Sequence, residues 1–158
     1  MSLREALVYT NEICNNDEAF NEYGARERFL AFAYTYLQTL QKEKAKFFPL
    51  LKSKNNLIFP NAEVQNLKAE FEQIIAEIIT IGEQSGEIVA RPIVSNYYKN
   101  ALWICFIQIL VFWANDNSFE KEETDVLTEK SVHFTFDLFL PNAIDSGLDY
   151  AKFLLQKR

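Results

Sequence analysis

Apolar residues along this chain recur mostly at intervals of three and four, the spacing that lines one face of an α-helix. Leu3, Ala6, Leu7, Thr10, Ile13 and Cys14 share such a face, which predicts a first helix starting almost at the first residue. The polar stretch NNDEAFNEYG interrupts it. A second helix is expected from about Ala25, carrying Phe29, Phe32, Ala33, Tyr36 and Leu40 inward. Its end, QKEKAK, puts Lys42, Lys44 and Lys46 where the helix dipole favours cations, a simpler account than an anion site. FFPLLKSKNNLIFPN reads as a short helical turn and a loop punctuated by Pro49 and Pro60.

Asn61 has the character of an N-cap, with Glu63 in the first turn of a third long helix. Val64, Leu67, Phe71, Ile74, Ile75, Ile78 and Ile79 form its apolar stripe, opposite Gln65, Ala69, Gln73 and Glu77. GEQSGE ends it. A fourth helix is expected from about Pro92 through Ala114, closed by NDNS, and a fifth from about Glu120 to Leu140. After Pro141, Asn142 is the expected cap of a last helix with Ile144, Leu148, Ala151 and Leu155 on one stripe. With no repeat, linker or low-complexity segment, residues 1–158 read as a single all-α domain of about six main helices.

The fourth helix is apolar on nearly every side. From Ala101 to Ala114 only Gln108 interrupts the run. Tyr97, Ala101, Ile104, Gln108, Val111 and Asn115 recur at alternating four- and three-residue steps, the seam by which two helices interlock. Leu102, Phe106, Ile109, Leu110 and Trp113 occupy the other side, with Trp103 at its edge. Such a helix needs cover on both sides. On the fifth helix Thr124, Thr128, Ser131 and Thr135 recur along the centre of the apolar face. Leu127, Phe134 and Leu138 flank them on one side, and Val132, Phe136 and Phe139 on the other. Small hydroxyl residues there would let another helix approach closely. Two consecutive seams predict half of a four-helix bundle, completed by a second copy in a two-fold dimer. The competing arrangement turns both seams toward helices of the same chain.

Composition narrows the classes. The chain has 158 residues, 49% hydrophobic and 15% aromatic, with only 4 Gly and 4 Pro, which suits few, long helices and a ring-lined interior. A net charge of −6 argues against a duplex-binding surface, which would rest on Lys and Arg facing phosphates. No secretory leader pattern opens the chain, and the apolar run 101–114 is shorter than the roughly 20 residues of a membrane span. A cytoplasmic, membrane-free protein is expected. Cys14 and Cys105 lie far apart on apolar backgrounds and read as buried thiols.

Chemistry-bearing motifs are scarce. There is no glycine-rich phosphate loop, no CxxC pair and no HExxH. The single histidine, His133, points away from the apolar face of its helix between Glu129 and Asp137. A solvated histidine on a charged face is a better account than a metal ligand lacking convergent partners. No enzymatic activity, cofactor or metal is expected.

The helix order, GEQSGEIV and the final pair of interface-like helices resemble the C-terminal effector domain of TetR-family transcriptional regulators. Gly82, Gly86, Glu87 and Ile88 are similar to the family's turn before its dimerisation helix. WANDNS, TDVLTEKSV and FTFDLF resemble segments of one branch of these domains. The resemblance implies a homodimer and a small hydrophobic effector held between the middle helices. Here the implied pocket wall is Phe32, Tyr36, Phe71, Ile75, Ile78, Trp103, Phe106 and Leu110. The implied dimer interface is Tyr97, Ala101, Ile104, Gln108 and Val111 with Thr124, Thr128, Ser131 and Thr135. TetR regulators contact DNA through an N-terminal helix-turn-helix, which has no counterpart here, and the helix at Leu3 resembles the family's connector helix entered part-way along. The expected function is therefore effector sensing and dimerisation without a DNA-binding head. The alternative is a stand-alone binder of lipid or hydrophobic metabolite, as in the lipid-binding protein of ubiquinone biosynthesis that shares the TetR fold.

Overall fold

The first helix starts with a reciprocal cap. The Ser2 hydroxyl accepts from the Glu5 amide at 3.1 Å, and the Glu5 carboxylate accepts from the Ser2 amide at 2.7 Å. The computed structural model describes residues 1–52, 61–91 and 95–157, with the backbone alone at 95 and 142–144. The described elements are α1 (Leu3–Asn15), α2 (Glu18–Glu22), α3 (Ala25–Gln41), α4 (Lys44–Lys52) and α5 (Ala62–Ser85). After them come α6 (Ser95–Asn115), a 3-10 turn (Phe119–Lys121), α7 (Glu122–Asp137) and α8 (Pro141–Gln156). Among the described residues there are eight helices and no strand.

The count exceeds the expected six because two short helices lie in stretches read as interruptions. Asp17 caps α2 by accepting from the Ala19 amide at 2.9 Å, and buried Phe20 anchors it. α4 carries Pro49 inside it and buries Phe47 and Leu51. That helix also changes the reading of the basic run. α3 ends at Gln41 with Lys42 as its C-cap, whereas Lys44 and Lys46 belong to α4. Lys46 donates to the Met1 carbonyl at 2.7 Å instead of facing a helix end. Ile13 is exposed, although the other five residues of its predicted face are buried. The expected start at Pro92 lies outside the described residues. α8 begins with Pro141 in its first turn after Leu140, so Asn142 sits inside the helix rather than capping it. Asn61 does cap α5, accepting from the Val64 amide at 3.0 Å.

α3 is the hub and packs against α1, α2, α4, α5, α6 and α7. The GEQSGEI segment fastens it to the end of α5. Gly86 takes φ +84°, the left-handed conformation that favours glycine at a helix end. The chain then folds back so that Ile88 packs over Gly82, where an added Cβ would lie 2.6 Å from Ile88 Cδ1 and 3.0 Å from Ala25 Cβ. Glu87 caps α3 from a distance, accepting from the Ala25 and Arg26 amides at 2.8 and 3.1 Å.

A second junction sets the angle between α6 and α7. Asp116 accepts from the Ser118 amide at 2.8 Å, the Thr124 amide at 2.9 Å and the Thr124 hydroxyl at 2.6 Å. Lys121 reaches back to the carbonyls of Trp113 and Asp116, and both Glu120 and Lys121 hold positive φ. Burial alone would raise the Asp116 carboxyl. The bonds from Ser118 and Thr124 outweigh it and hold the group well below the usual carboxylate range.

Two stability predictions follow from these junctions. Gly82→Ala should lower stability to urea by about 1–2 kcal/mol, and adding Ile88→Val should restore part of the loss. Asp116→Ala should cost about 2 kcal/mol near neutral pH. Because the folded carboxyl titrates below its unfolded value near ~4, its contribution is complete above that value and fades as pH falls toward the folded one. The gap between Asp116→Ala and the unaltered chain should therefore narrow in urea titrations run below about pH 4.

Candidate functional site

α6 faces two environments, and its inner side is core. Leu102, Cys105, Phe106, Ile109, Leu110, Trp113 and Ala114 are buried there. Phe106 sits in a ring cluster: its centroid lies 4.7 Å from Phe71, 5.3 Å from Tyr36, 6.2 Å from Trp103 and 6.3 Å from Phe32. The cluster collects the implied pocket wall. Phe32, Tyr36, Phe71, Ile75, Ile78, Phe106 and Leu110 are buried, and Trp103 is half-buried at the edge. Of these eight, Trp103 borders a surface groove between α5 and α6. The Tyr36 phenol donates to the Leu3 carbonyl at 2.9 Å, which satisfies its one polar atom and ties α3 to α1. Burial pushes that phenol well above its ordinary pKa.

Length does not exclude a membrane span as the run 101–114 had implied. Asn96–Asn115 is long and apolar enough to cross a bilayer, by length and composition, at a mean hydropathy of 1.2. Core helices meet the same criterion, and the inner side of α6 is packed on rings from α3 and α5.

The outer side of α6 is uncovered. Tyr97 is 47% exposed and Ile104 66%, Gln108 is exposed, and Ala101 and Val111 are half-buried. The five predicted α6 residues therefore share one accessible face. The threonine stripe of α7 does not join them. Thr124, Thr128 and Thr135 are buried within the chain and Ser131 is half-buried. Each hydroxyl has work there. Thr124 bonds to Asp116, Thr128 donates to the Thr124 carbonyl at 2.7 Å, and Thr135 donates to the Ser131 carbonyl at 2.7 Å. The helix that approaches the stripe is α6 of the same chain, at Cys105, which is buried beside Thr135 and Ser131.

What α7 presents outward is one of the two apolar flanks. Val126 is 53% exposed and Phe134 65%, with Leu127 half-buried, whereas Val132, Phe136 and Phe139 turn inward. Gln108 and Phe112 of α6 and Val126, Leu127 and Phe134 of α7 line an open groove of about 810 Å³, with Glu122, Glu123 and Lys130 at its rim. Val126, Phe134 and Phe112 were missed as outward-facing residues. For Phe134 the signal was the pair of apolar flanks on α7, since one helix side needs only one; Val126 and Phe112 gave no such signal.

A second groove of about 470 Å³ lies between α5 and α6, lined by Val64, Gln65, Lys68, Trp103, Ile104, Ile107 and Gln108. Ile104 and Gln108 thus belong to both the seam and this groove. Lys68 faces Glu72 at 3.8 Å on its own helix.

His133 Nδ1 lies 3.1 Å from Arg26 Nη1, and Arg26 Nη2 donates to Asp137 at 2.8 Å, an exposed structural tie between α3 and α7. Cys14 and Cys105 are buried free thiols, and burial pushes both upward in pKa. Among the described residues no group of three or more His, Cys, Asp or Glu could hold a metal ion.

A family described as tetracyclin repressor-like, C-terminal domain, matches residues 28–154. The chain belongs to that family. No helix-turn-helix domain is found in the chain. No curated protein and no solved structure matches it. Tetracyclin repressor-like C-terminal domains typically dimerise and bind effectors, and they are generally non-enzymatic.

The ring cluster generates its own prediction. Phe106→Ala should cost about 3–5 kcal/mol in urea unfolding, as loss of a fully packed core ring does. A cost below about 1 kcal/mol would show that these rings line a space instead of filling one.

Proposed function

We propose that this domain forms a two-fold dimer through the outer faces of α6 and α7 and senses a small hydrophobic effector. The observation that carries the reading is the row of large apolar side chains left in solvent on those two helices: Tyr97, Ile104, Val126 and Phe134. Contiguous exposed apolar surface of this kind marks an interaction site. Two antiparallel helices with one apolar outer side make half of a four-helix bundle, and a second copy supplies the other half.

The proposed interface keeps Tyr97, Ala101, Ile104, Gln108 and Val111 on α6. It exchanges the threonine stripe for Val126, Leu127, Lys130 and Phe134 on α7. Gln108 is the polar residue in the seam, and one such residue fixes register at some cost in stability. The threonines serve the same interface indirectly by letting α6 lie close to α7, which sets the spacing of the two outer faces.

Sensing requires an effector that binds one arrangement of the helices better than another, since equal affinity for both shifts nothing. The proposed effector is apolar and enters beside Trp103, the half-buried member of the ring cluster. α1, which packs on α3 and α5, is the element through which the change would travel toward a DNA-binding unit. The chain itself needs no cofactor for this role.

Analytical ultracentrifugation tests the reading. The unaltered chain should sediment as a dimer at micromolar concentration. Ile104→Arg with Phe134→Arg should sediment as a monomer of unchanged helicity, since both side chains are already in solvent. A monomeric unaltered chain, or a double variant that remains dimeric, would sink the proposed interface. Thr128→Arg should instead unfold the chain, because it forces a charge into the α6–α7 contact.

A further inference from the structure

The groove between α5 and α6 has a composition the dimer reading does not use. Val64, Trp103 and Ile107 give it an apolar lining, Gln65 a polar one, and its charged lining residue is Lys68. Its other border is Ile104 and Gln108, which also lie on the proposed seam. The volume of about 470 Å³ falls within the range of small-molecule sites.

We infer that this groove binds an anion-headed apolar molecule, a medium-chain carboxylate in its simplest form, under a roof supplied by the second copy. The inference rests on the proposed α6–α7 dimer, because the partner's helix passes along Ile104 and Gln108 and so closes the groove's open side. The apolar tail lies along Trp103 and Ile107. The carboxylate meets Lys68, whose ammonium carries three donors and faces Glu72 only at 3.8 Å, leaving donors for a second oxygen pair. In a single chain the tail would remain half in solvent and the head would be screened. Covering the mouth removes both penalties, so ligand and partner stabilise each other's binding. The site differs from the ring cluster in position: Trp103 belongs to both, with its inner edge on Phe71 and Phe106 and the groove on its other side.

Trp103 is also the natural reporter. In a Trp113→Phe background it is the sole tryptophan, and decanoate should change its fluorescence at lower concentration than decanol. A preference of about threefold is the size expected of one partly exposed ion pair. Lys68→Gln should erase the preference while decanol binding stays. Val126→Arg with Phe134→Arg, neither residue in the groove lining, should sediment as a monomer, lose the roof and bind decanoate several-fold more weakly. Calorimetry on the unaltered chain repeats the comparison if Trp113→Phe does not fold. Equal affinity for acid and alcohol, no effect of Lys68→Gln, or calorimetric binding with a silent Trp103 would each overturn the site. Decanoate affinity unchanged in Val126→Arg with Phe134→Arg would overturn the roof. A chain that sediments as a dimer yet ignores decanoate sinks this inference and leaves the dimer reading intact.

Discussion

The packing of rings around Phe106 is the constraint from which the rest of this domain follows. One side chain of α6 touches rings from α3 and α5 at once, so three helices are located by a single residue. Aromatic edges and faces meet there at 4.7 to 6.3 Å, the range in which such pairs add to simple burial. A centre filled this way leaves little room for anything else. Concave surface lies instead in the grooves that flank α6.

α6 and α7 solve one problem in two ways. α6 covers its inner side with bulky rings and leaves a thinner seam of Ala101, Ile104, Gln108 and Val111 outside. α7 splits its apolar residues into an inward flank with Phe136 and an outward flank with Phe134, and places small hydroxyl residues on the inward side between them. The close contact that those hydroxyls permit is thus used inside the chain. Asp116 and Lys121 then fasten the turn between the two helices through bonds to Ser118, Thr124 and the Trp113 carbonyl.

Much of this was legible in the residues. Periodicity placed the long helices, because Leu67, Phe71, Ile75 and Ile78 leave no alternative face, and Asn61 capped as its type suggested. Glycines at 82 and 86 announced the turn, although why they are needed emerges only from the position of Ile88. The short helix α2 was hidden and α4 showed only as a helical turn, since five or nine residues give too few repeats for a period to show. The orientation of α7 was misread for a different reason. A helix with apolar residues on both sides of a polar-looking stripe has no unique inward direction until its neighbours are known, and Thr128 is covered by the helix just before it in the chain, where a second copy was expected. The α5–α6 groove was invisible because Lys68 and Trp103 meet only in the fold.

The threonines carry one more consequence. Thr10, Thr35, Thr39, Thr80, Thr128 and Thr135 all donate to the carbonyl four residues before them, at 2.7 to 2.9 Å. A hydroxyl that donates within its own helix can grip the next one only as an acceptor; Thr10 and Thr39, 3.3 Å apart, make such a contact. Glu87 on Ala25, Tyr36 on Leu3 and Asp116 on Thr124 pin the bundle where helices begin or end. Between those pins the buried contacts are mostly apolar, and the polar ties, Arg4 on Glu70, Tyr34 on the Asp125 carbonyl and Arg26 on Asp137, lie at the surface. The bundle is therefore mechanically anisotropic: stiff against separation at its joints, compliant to shear along its barrel, the compliance by which packed helices slide.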